Sequence, residues 1–137
     1  MLQIMPSVFF HIQDENDSLT HEHFMSRILM HYVHKGNKVC VICLDESHAT
    51  KLSKHIWSFP PDAFLPHHIK ENMIITEGPF EKKCVINMTD DCILKMKINI
   101  IELVFKNETA KAIARDRFKI YKTNGFNLEH IKESTYL

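Results

Sequence analysis

The chain has 137 residues, of which 45% are hydrophobic and 25% charged, so it is long enough to bury one core without disulfides or metal. Its 17 basic residues balance 17 acidic ones, which argues against the net positive field of most nucleic-acid-binding proteins. No apolar run approaches the roughly 20 residues of a membrane span, and the four cysteines in or beside apolar segments are typical of reduced thiols. We therefore expect one soluble, cytoplasmic domain over residues 1–137.

The first half of the chain alternates short apolar runs with amphipathic segments. Residues 7–12 are apolar and β-prone, and between residues 18 and 35 the apolar residues recur at every third or fourth position. The run KVCVICL at 38–44 is typical of a strand buried on both faces of a parallel sheet. Residues 47–57 predict a second helix, which must end before the prolines at 60–61. The order is strand, helix, strand, helix.

The second half continues this order. Strands are predicted at 73–76, 84–88 and 98–105, followed by a last helix from about 107 to 123 that ends at the Asn-Gly pair 124–125. Strands and helices that alternate through short loops predict an α/β fold. The fold class is a single-domain, Rossmann-like, open and largely parallel sheet with helices on both faces.

Such a sheet raises the hypothesis of a small nucleotide-binding α/β enzyme. Phosphate cradles need glycines where the first strand turns into the first helix, yet residues 13–17 read QDEND and carry three acids. The glycines at 36, 78 and 125 are too scattered for a phosphate-binding loop. Nucleotide binding therefore rests on fold analogy alone.

Other chemistry is also weakly indicated. Cys40 and Cys43 have the spacing of a redox or zinc pair, but residues three apart in a strand point to opposite faces. The histidine pairs have no cysteine or carboxylate at matching spacing, and no serine, cysteine or threonine lies in a recognisable nucleophile motif. The sequence predicts no metal, no cofactor and no catalytic residue.

The last predicted helix carries the strongest charge signal. Residues 106–122 contain six cations and two acids, so this span is +4 and the rest of the chain is −4. Helical periodicity places one exposed stripe over Lys111, Arg115, Phe118, Lys119 and Lys122. It places the face that docks on the sheet over Ala110, Ile113, Ala114, Ile120 and Tyr121.

Three interpretations of this helix remain open. The stripe is a solvated basic face, or a direct nucleic-acid binder with Phe118 and Tyr121 as stacking rings, or a binding surface for an acidic ligand. A phenylalanine among the cations favours a binding surface over a solvated face.

Three segments carry a resemblance to a known family. LSKHIWSFPPDAFLPH at 52–67 has a helix that ends in Ile-Trp, a proline-bearing turn and then Phe-x-Pro-His. ARDRFKIYKTNGFNL at 114–128 is close to Ala-Arg-x-Arg-Tyr-Lys-x-Tyr-x-x-x-Gly-Phe-x-Leu, and GNKVCVICLDE follows the first helix. The chain resembles the chi subunit of bacterial DNA polymerase III holoenzyme from residue 7 to 128, with residues 129–137 as a C-terminal extension.

The resemblance implies a non-enzymatic adaptor with two partners on separate surfaces. One partner is the C-terminal tail of single-stranded DNA-binding protein, an acidic peptide that ends in an apolar pair and a free α-carboxylate. The other is the psi subunit, through which chi reaches the clamp loader. The implied protein is a bacterial cytoplasmic subunit, monomeric alone and heterodimeric with psi, that reaches single-stranded DNA indirectly and no membrane.

Residue-by-residue matching places the tail site on Lys111, Arg115, Phe118 and Lys119. An arginine can bind a terminal carboxylate through two hydrogen bonds, lysines attract aspartates, and an aromatic ring walls an apolar slot. The family usually has tyrosine where this chain has Phe118, so the ring remains and a hydroxyl hydrogen bond is lost.

The same matching places the psi site on Trp57, Phe64, Leu65 and Pro66. An aromatic pair held by prolines at a helix exit makes a good docking anchor. The alternative is that Trp57 and Phe64 close the hydrophobic core beneath a loop.

Overall fold

The computed structural model describes residues 6–58, 65–78, 80 and 82–132. Its elements in chain order are β1 (Ser7–Ile12), α1 (His21–His34), β2 (Asn37–Ile42), α2 (Glu46–Ser58), β3 (His67–Lys70), β4 (Met73–Thr76), β5 (Lys82–Asn87), β6 (Asn99–Val104), α3 (Glu108–Thr123) and β7 (Asn127–Lys132). The predicted alternation of strands and helices is confirmed. β3 and β7 were not predicted from the sequence.

The strands form one sheet in the order β3-β4-β2-β5-β6-β1-β7. The pairs β2–β5, β5–β6, β6–β1 and β1–β7 are parallel, whereas β4 is antiparallel to both β2 and β3. The prediction of an open, largely parallel sheet is therefore confirmed. β3 and β7 are the two edge strands, so each pairs on one side only and shows weak apolar alternation, which is why the sequence pattern did not reveal them.

Helices cover both faces of the sheet. Phe24, Ile28 and Leu29 of α1 pack with Ile101 of β6 and with α2 in one core. Ile100, the residue that precedes Ile101 in β6, belongs to a second core that contains Tyr121 of α3. Because neighbouring residues of a strand point to opposite faces, α1 and α2 lie on one face and α3 on the other.

β2 is less enclosed than its sequence predicted. Val39 and Val41 are fully buried on the face that α1 and α2 cover, but Cys40 and Ile42 on the other face are only half-buried. α3 packs on β6 and on β7, beyond β1, and so covers the opposite half of the sheet. The prediction of burial on both faces was wrong because α3 returns away from β2.

The ends of α3 are defined by local hydrogen bonds. The Asn107 side chain accepts a hydrogen bond from the backbone N–H of Ala110 at 2.7 Å, so Asn107 caps the first turn. At the other end Gly125 has a φ of +84°, a left-handed conformation that glycine adopts without steric cost. The chain then turns directly into β7, which brings the edge strand alongside the helix.

A buried hydrogen-bond network fixes α3 on the sheet. Glu102 of β6 is only 2% exposed, and its carboxylate accepts from Arg117 at 2.6 Å, from the Tyr121 hydroxyl at 2.6 Å and from Asn87 at 2.7 Å. Arg117 also donates to the backbone oxygen of Thr89 at 2.6 Å. Burial raises the pKa of Glu102, and the guanidinium of Arg117 acts in the opposite direction by favouring the carboxylate.

This network changes the orientation that periodicity predicted for α3. Ile113 and Ile120, which were expected to dock on the sheet, are 46% and 43% exposed. Arg117 instead faces the sheet, with a side chain that is 13% exposed, because the buried carboxylate of Glu102 needs a cation. The predicted positions of Ile113 and Ile120 were wrong, whereas Tyr121 is fully buried as expected.

The network predicts a large stability difference between two arginines of the same helix. Replacing Arg117 with methionine leaves Glu102 buried without its cation, so the free energy of unfolding is expected to fall by about 3–5 kcal/mol. The matched control Arg115→Met removes an exposed arginine two residues away and is expected to change it by less than about 0.5 kcal/mol. Urea denaturation followed by circular dichroism measures both, and equal losses in the two variants would contradict the role given to Arg117.

Candidate functional site

A groove of about 420 Å³ lies where α3 approaches the β1–β7 edge of the sheet. The residues that line it are Phe10, Ile12, Val104, Lys111, Ala114, Arg115, Phe118, Lys119 and His130. All four residues of the predicted tail site are among them. The structure thus brings together side chains that the sequence placed on one helix and adds groups from three strands, β1, β6 and β7.

Aromatic rings form the apolar part of the groove. Phe10 of β1 is 1% exposed, and its ring centroid lies 5.9 Å from that of Phe118, with the ring planes tilted by 49°. His130 of β7 stacks against both rings, at 5.1 Å from Phe118 and 5.5 Å from Phe10. Phe118 is half-buried, so one side of its ring contributes to the core and the other faces the groove.

Two cations of the groove have no protein partner among the described residues. Arg115 and Lys119 are exposed and lie one helical turn apart, so both side chains project from the same side of α3. Neither the guanidinium nor the ammonium makes a hydrogen bond or an ion pair with any described part of the chain. Their donors are available to an anionic ligand.

Lys111 differs from these two because it is already paired. Its ammonium contacts the carboxylate of Glu15 and lies 3.6 Å from that of Glu108. The hydrogen bond to Glu15 raises the pKa of Lys111, and the charge of Glu108 adds to the effect. Glu15 belongs to the loop that follows β1, so an acidic ligand at this end of the groove competes with an acid of the protein itself.

The crevice where related folds hold nucleotides is filled by the protein's own side chains. α1 and α3 leave the adjacent strands β1 and β6 towards opposite faces, which is the usual ligand position of such sheets. There Asp17 binds Arg27 at 2.6 Å and its backbone oxygen accepts from the ammonium of Lys106. Burial opposes ionisation of Asp17, but the Leu19 N–H and Arg27 outweigh it and lower its pKa.

The second predicted surface centres on Trp57 near the end of α2. Its indole is 47% exposed, and its inner face stacks on the His67 ring at 4.3 Å. His67 is buried, with Nδ1 2.8 Å from the carbonyl oxygen of Leu65 and Nε2 2.7 Å from the Ser53 hydroxyl. A carbonyl only accepts, so Nδ1 donates and Nε2 accepts from Ser53, and the imidazole forms a fixed platform for Trp57.

The other members of the predicted psi site are placed differently. Leu65 is 4% exposed and belongs to the core beneath α1 and α2, whereas Pro66 is exposed. Phe64 lies outside the described residues, as do the prolines at 60–61. Leu65 rather than Trp57 therefore fills the core at this position, and Trp57 keeps almost half of its surface in solvent.

The sequence of the chain is similar to that of a known family of replication proteins. Residues 5–129 match the family model described as DNA polymerase III chi subunit, HolC. The chain belongs to the DNA polymerase III chi subunit family. It is therefore a replication accessory subunit.

Individual chi subunits are similar to this chain over most of its length. The chi subunit of Haemophilus influenzae is 26% identical over 132 residues, which cover 87% of this chain and 92% of that protein. The subunit of Pseudomonas aeruginosa is 28% identical over 69% of this chain and 74% of its own length. The subunit of Escherichia coli is 24% identical over 68% of this chain and 72% of its own length.

Sequence reasoning missed the strand side of the groove in this chi-family chain. Phe10 and His130 reach the groove only because β7 pairs with β1, in a register that places His130 opposite Phe10. β7 was not predicted, and residues from 129 onwards were assigned to an extension. The available signal was the short apolar spacing of Phe126, Leu128 and Ile131 after Gly125, which the charged residues between them conceal.

Among the residues that the structure describes, the other candidate features of the sequence are not brought together into a site. Cys43 is buried in the core under α1 and α2, where burial raises the pKa of its thiol to about 12, and Cys40 lies on the opposite face of the sheet. Within the described ranges, no three histidine, cysteine or acidic side chains are grouped so that they could hold a metal ion. No helix of those ranges has the length and hydropathy to cross a membrane.

The pairing of Lys111 with Glu15 predicts that this acid weakens ligand binding. In Glu15→Gln, the ammonium of Lys111 loses its hydrogen-bonded acid and keeps only the exposed Glu108 at 3.6 Å, so affinity for an acidic peptide with an apolar C-terminus is expected to rise about two- to fivefold. The matched control Glu129→Gln makes the same charge change on β7, on the face opposite the groove. Fluorescence anisotropy measures both affinities, and an equal gain in the two variants would assign the effect to net charge instead of the Glu15–Lys111 pair.

Proposed function

We propose that this chain is a non-catalytic adaptor of the DNA polymerase III holoenzyme that binds the acidic C-terminal tail of single-stranded DNA-binding protein in the α3 groove. The observation that carries the proposal is the junction of an aromatic slot with cations that have no acidic partner in the described chain. Phe10, Phe118 and His130 form the slot, and Arg115 and Lys119 border it. A peptide that ends in an apolar residue with a free carboxylate has both complementary parts.

Each part of such a peptide has a counterpart in the groove. The planar guanidinium of Arg115 can donate two parallel hydrogen bonds to the terminal carboxylate, a geometry that lysine cannot reproduce. The last apolar side chain packs against the groove side of these rings, where it loses contact with water. Lys119 attracts the aspartates that precede the terminal pair, and Lys111 does so once it releases Glu15.

Direct nucleic-acid binding by α3 receives less support from the same residues. Tyr121, one of the two rings expected to stack on bases, is fully buried and its hydroxyl is bonded to Glu102. Arg117 is also bonded to Glu102 and does not face solvent with the other cations. Three groove cations beside the acids of residues 14–17 suit a short acidic peptide better than a continuous phosphate backbone. Contact with single-stranded DNA is then indirect, through its coating protein.

We further propose that the surface around Trp57 binds the psi subunit and so links the chain to the clamp loader. A tryptophan held against His67 loses little conformational freedom when it binds, which makes it a suitable anchor. Pro66 extends the exposed surface and Leu65 supports it from the core. In this proposal the chain is a bacterial cytoplasmic protein that is a monomer alone and forms a heterodimer with psi.

The tail site is tested with a fluorescent peptide copied from the C-terminus of the host's single-stranded DNA-binding protein. The wild-type chain is expected to bind it, and amidation of the peptide's C-terminus or Arg115→Ala should weaken binding at least tenfold, because each removes one side of a charge-assisted pair. Anisotropy at low and moderate salt measures the affinities, and binding should weaken as salt screens the charges.

The control for this test is Lys95→Ala, which removes an exposed cation outside the groove and should leave affinity nearly unchanged. Equal affinity for the free and amidated peptides would contradict the assigned contact between Arg115 and the carboxylate. Failure of the wild-type chain to bind the peptide would contradict the tail site as a whole.

The psi surface is tested with Trp57→Ala and the host's psi subunit. Loss of a half-exposed anchor is expected to weaken psi binding by about 2 kcal/mol or more, roughly thirtyfold, by isothermal titration calorimetry. Leu94→Ala is the matched control because Leu94 is 42% exposed and lies outside both surfaces. Tail-peptide affinity should stay unchanged in Trp57→Ala, which verifies folding. Full psi affinity in that variant would place the interface elsewhere.

A further inference from the structure

His130 is an ionisable member of the aromatic slot. It lies on the edge strand β7, directly opposite Phe10 in the parallel register with β1. Its ring is nearly parallel to those of Phe118 and Phe10, with interplanar angles of 21° and 28°. Neither ring nitrogen has a hydrogen-bond partner among the described residues, and the residue is exposed to solvent. The slot thus holds a polar, titratable ring at the position where a ligand docks.

The side chains that line the groove together with His130 are cationic or apolar. They are Lys111, Arg115 and Lys119 of α3 and Phe10 and Ile12 of β1. On β7 itself, Lys132 lies on the same face two residues further on, and Glu129 points to the opposite face. Two acids on this side of the sheet are already bound: Glu15 contacts Lys111, and the buried Glu102, which is in register with Phe10, contacts Arg117.

This arrangement favours the imidazolium form of His130 once an acidic ligand is bound. A ligand carboxylate in the groove attracts an imidazolium directly, so binding is accompanied by uptake of a proton at His130. The ligand's own carboxylates stay ionised between about pH 6 and about pH 8, as do lysine and arginine.

We propose that His130 is a further ligand-contacting residue of the groove and binds the acidic tail as an imidazolium, so that tail binding takes up a proton. The inference rests on the proposed tail site and adds a specificity element from the strand side. The complex binds more protons than its free components, so affinity increases as the pH falls. We expect binding about three- to tenfold tighter near pH 6 than near pH 8.

The test is calorimetric titration of the full chain with the free-carboxylate tail peptide at about pH 6 and about pH 8, in two buffers of different ionisation enthalpy. The buffer dependence of the heat reports the number of protons taken up on binding. His130→Phe retains an aromatic ring but has no titratable group. His130→Gln retains a polar side chain but has neither an aromatic ring nor a titratable group. Both variants should bind the peptide near pH 8 and lose the pH dependence and the proton uptake.

His34→Gln is the control because His34 is exposed at the end of α1, on the face of the sheet that α3 does not cover, and its pH dependence should equal that of the wild type. Wild-type binding with no proton uptake would overturn this inference alone, and so would proton uptake that persists in both His130 variants. Absence of wild-type binding at both pH values would overturn the tail site and this inference with it. A role of His130 in packing only would lower affinity without changing the pH profile.

Discussion

The buried carboxylate of Glu102 determines how α3 lies on the sheet. It accepts hydrogen bonds from Arg117 and Tyr121 of α3 and from Asn87 of β5. A buried carboxylate needs these donors, so α3 must be rotated about its axis such that Arg117 and Tyr121 face the sheet. Each residue turns a helix by about 100°, and fixing Arg117 inwards therefore fixes the direction of every other side chain on it. Phe118 is turned against Phe10, and Arg115 and Lys119 follow on the groove side. The geometry of the groove therefore depends on a buried polar contact whose carboxylate does not line the groove.

That dependence also explains what the sequence could and could not reveal. The parallel sheet, the bounds of the helices and the cationic side of α3 follow from periodicity and capping residues. Periodicity does not predict that Arg117, rather than Ile113 and Ile120, faces the sheet. That orientation depends on Glu102 of β6, which is buried beneath the helix. The exposed isoleucines cost little when left in water compared with an unpaired interior carboxylate.

β7 was missed for a related reason. This edge strand has one half-buried apolar residue on each face, Leu128 and Ile131, and polar residues fill its other positions, so its pattern resembles a polar tail. Its pairing with β1 is a long-range property that no local window contains. Without β7, His130 has no place in the site, and the groove reduces to one helix face. The residues proposed for the tail site were predicted from a family resemblance, and their convergence on Phe10 and His130 required the topology.

The acids of residues 14–17 shape two properties at once. They occupy the crevice where nucleotide-binding relatives of this architecture place phosphates, and Asp17 is held there by Arg27 and Lys106. Glu15 reaches from the same loop to Lys111 and narrows the set of cations open to a ligand to Arg115 and Lys119. The acids of this loop therefore disfavour phosphate in the crevice. In the groove they favour a ligand whose negative charge is concentrated beside Arg115 over a ligand that is acidic along its whole length.

The sheet order separates the two proposed surfaces. Trp57 stacks on His67 of β3, and the groove borders β7, and these are the opposite edge strands of a seven-stranded sheet. Six strand spacings of about 4.8 Å place the edges roughly 29 Å apart, and α2 and α3 lie on opposite faces as well. Two partners of ordinary interface size can therefore bind without sharing residues or excluding each other. An adaptor needs this property more than it needs affinity at either surface, because its effect is to hold both partners at once and convert their encounter into an intramolecular one.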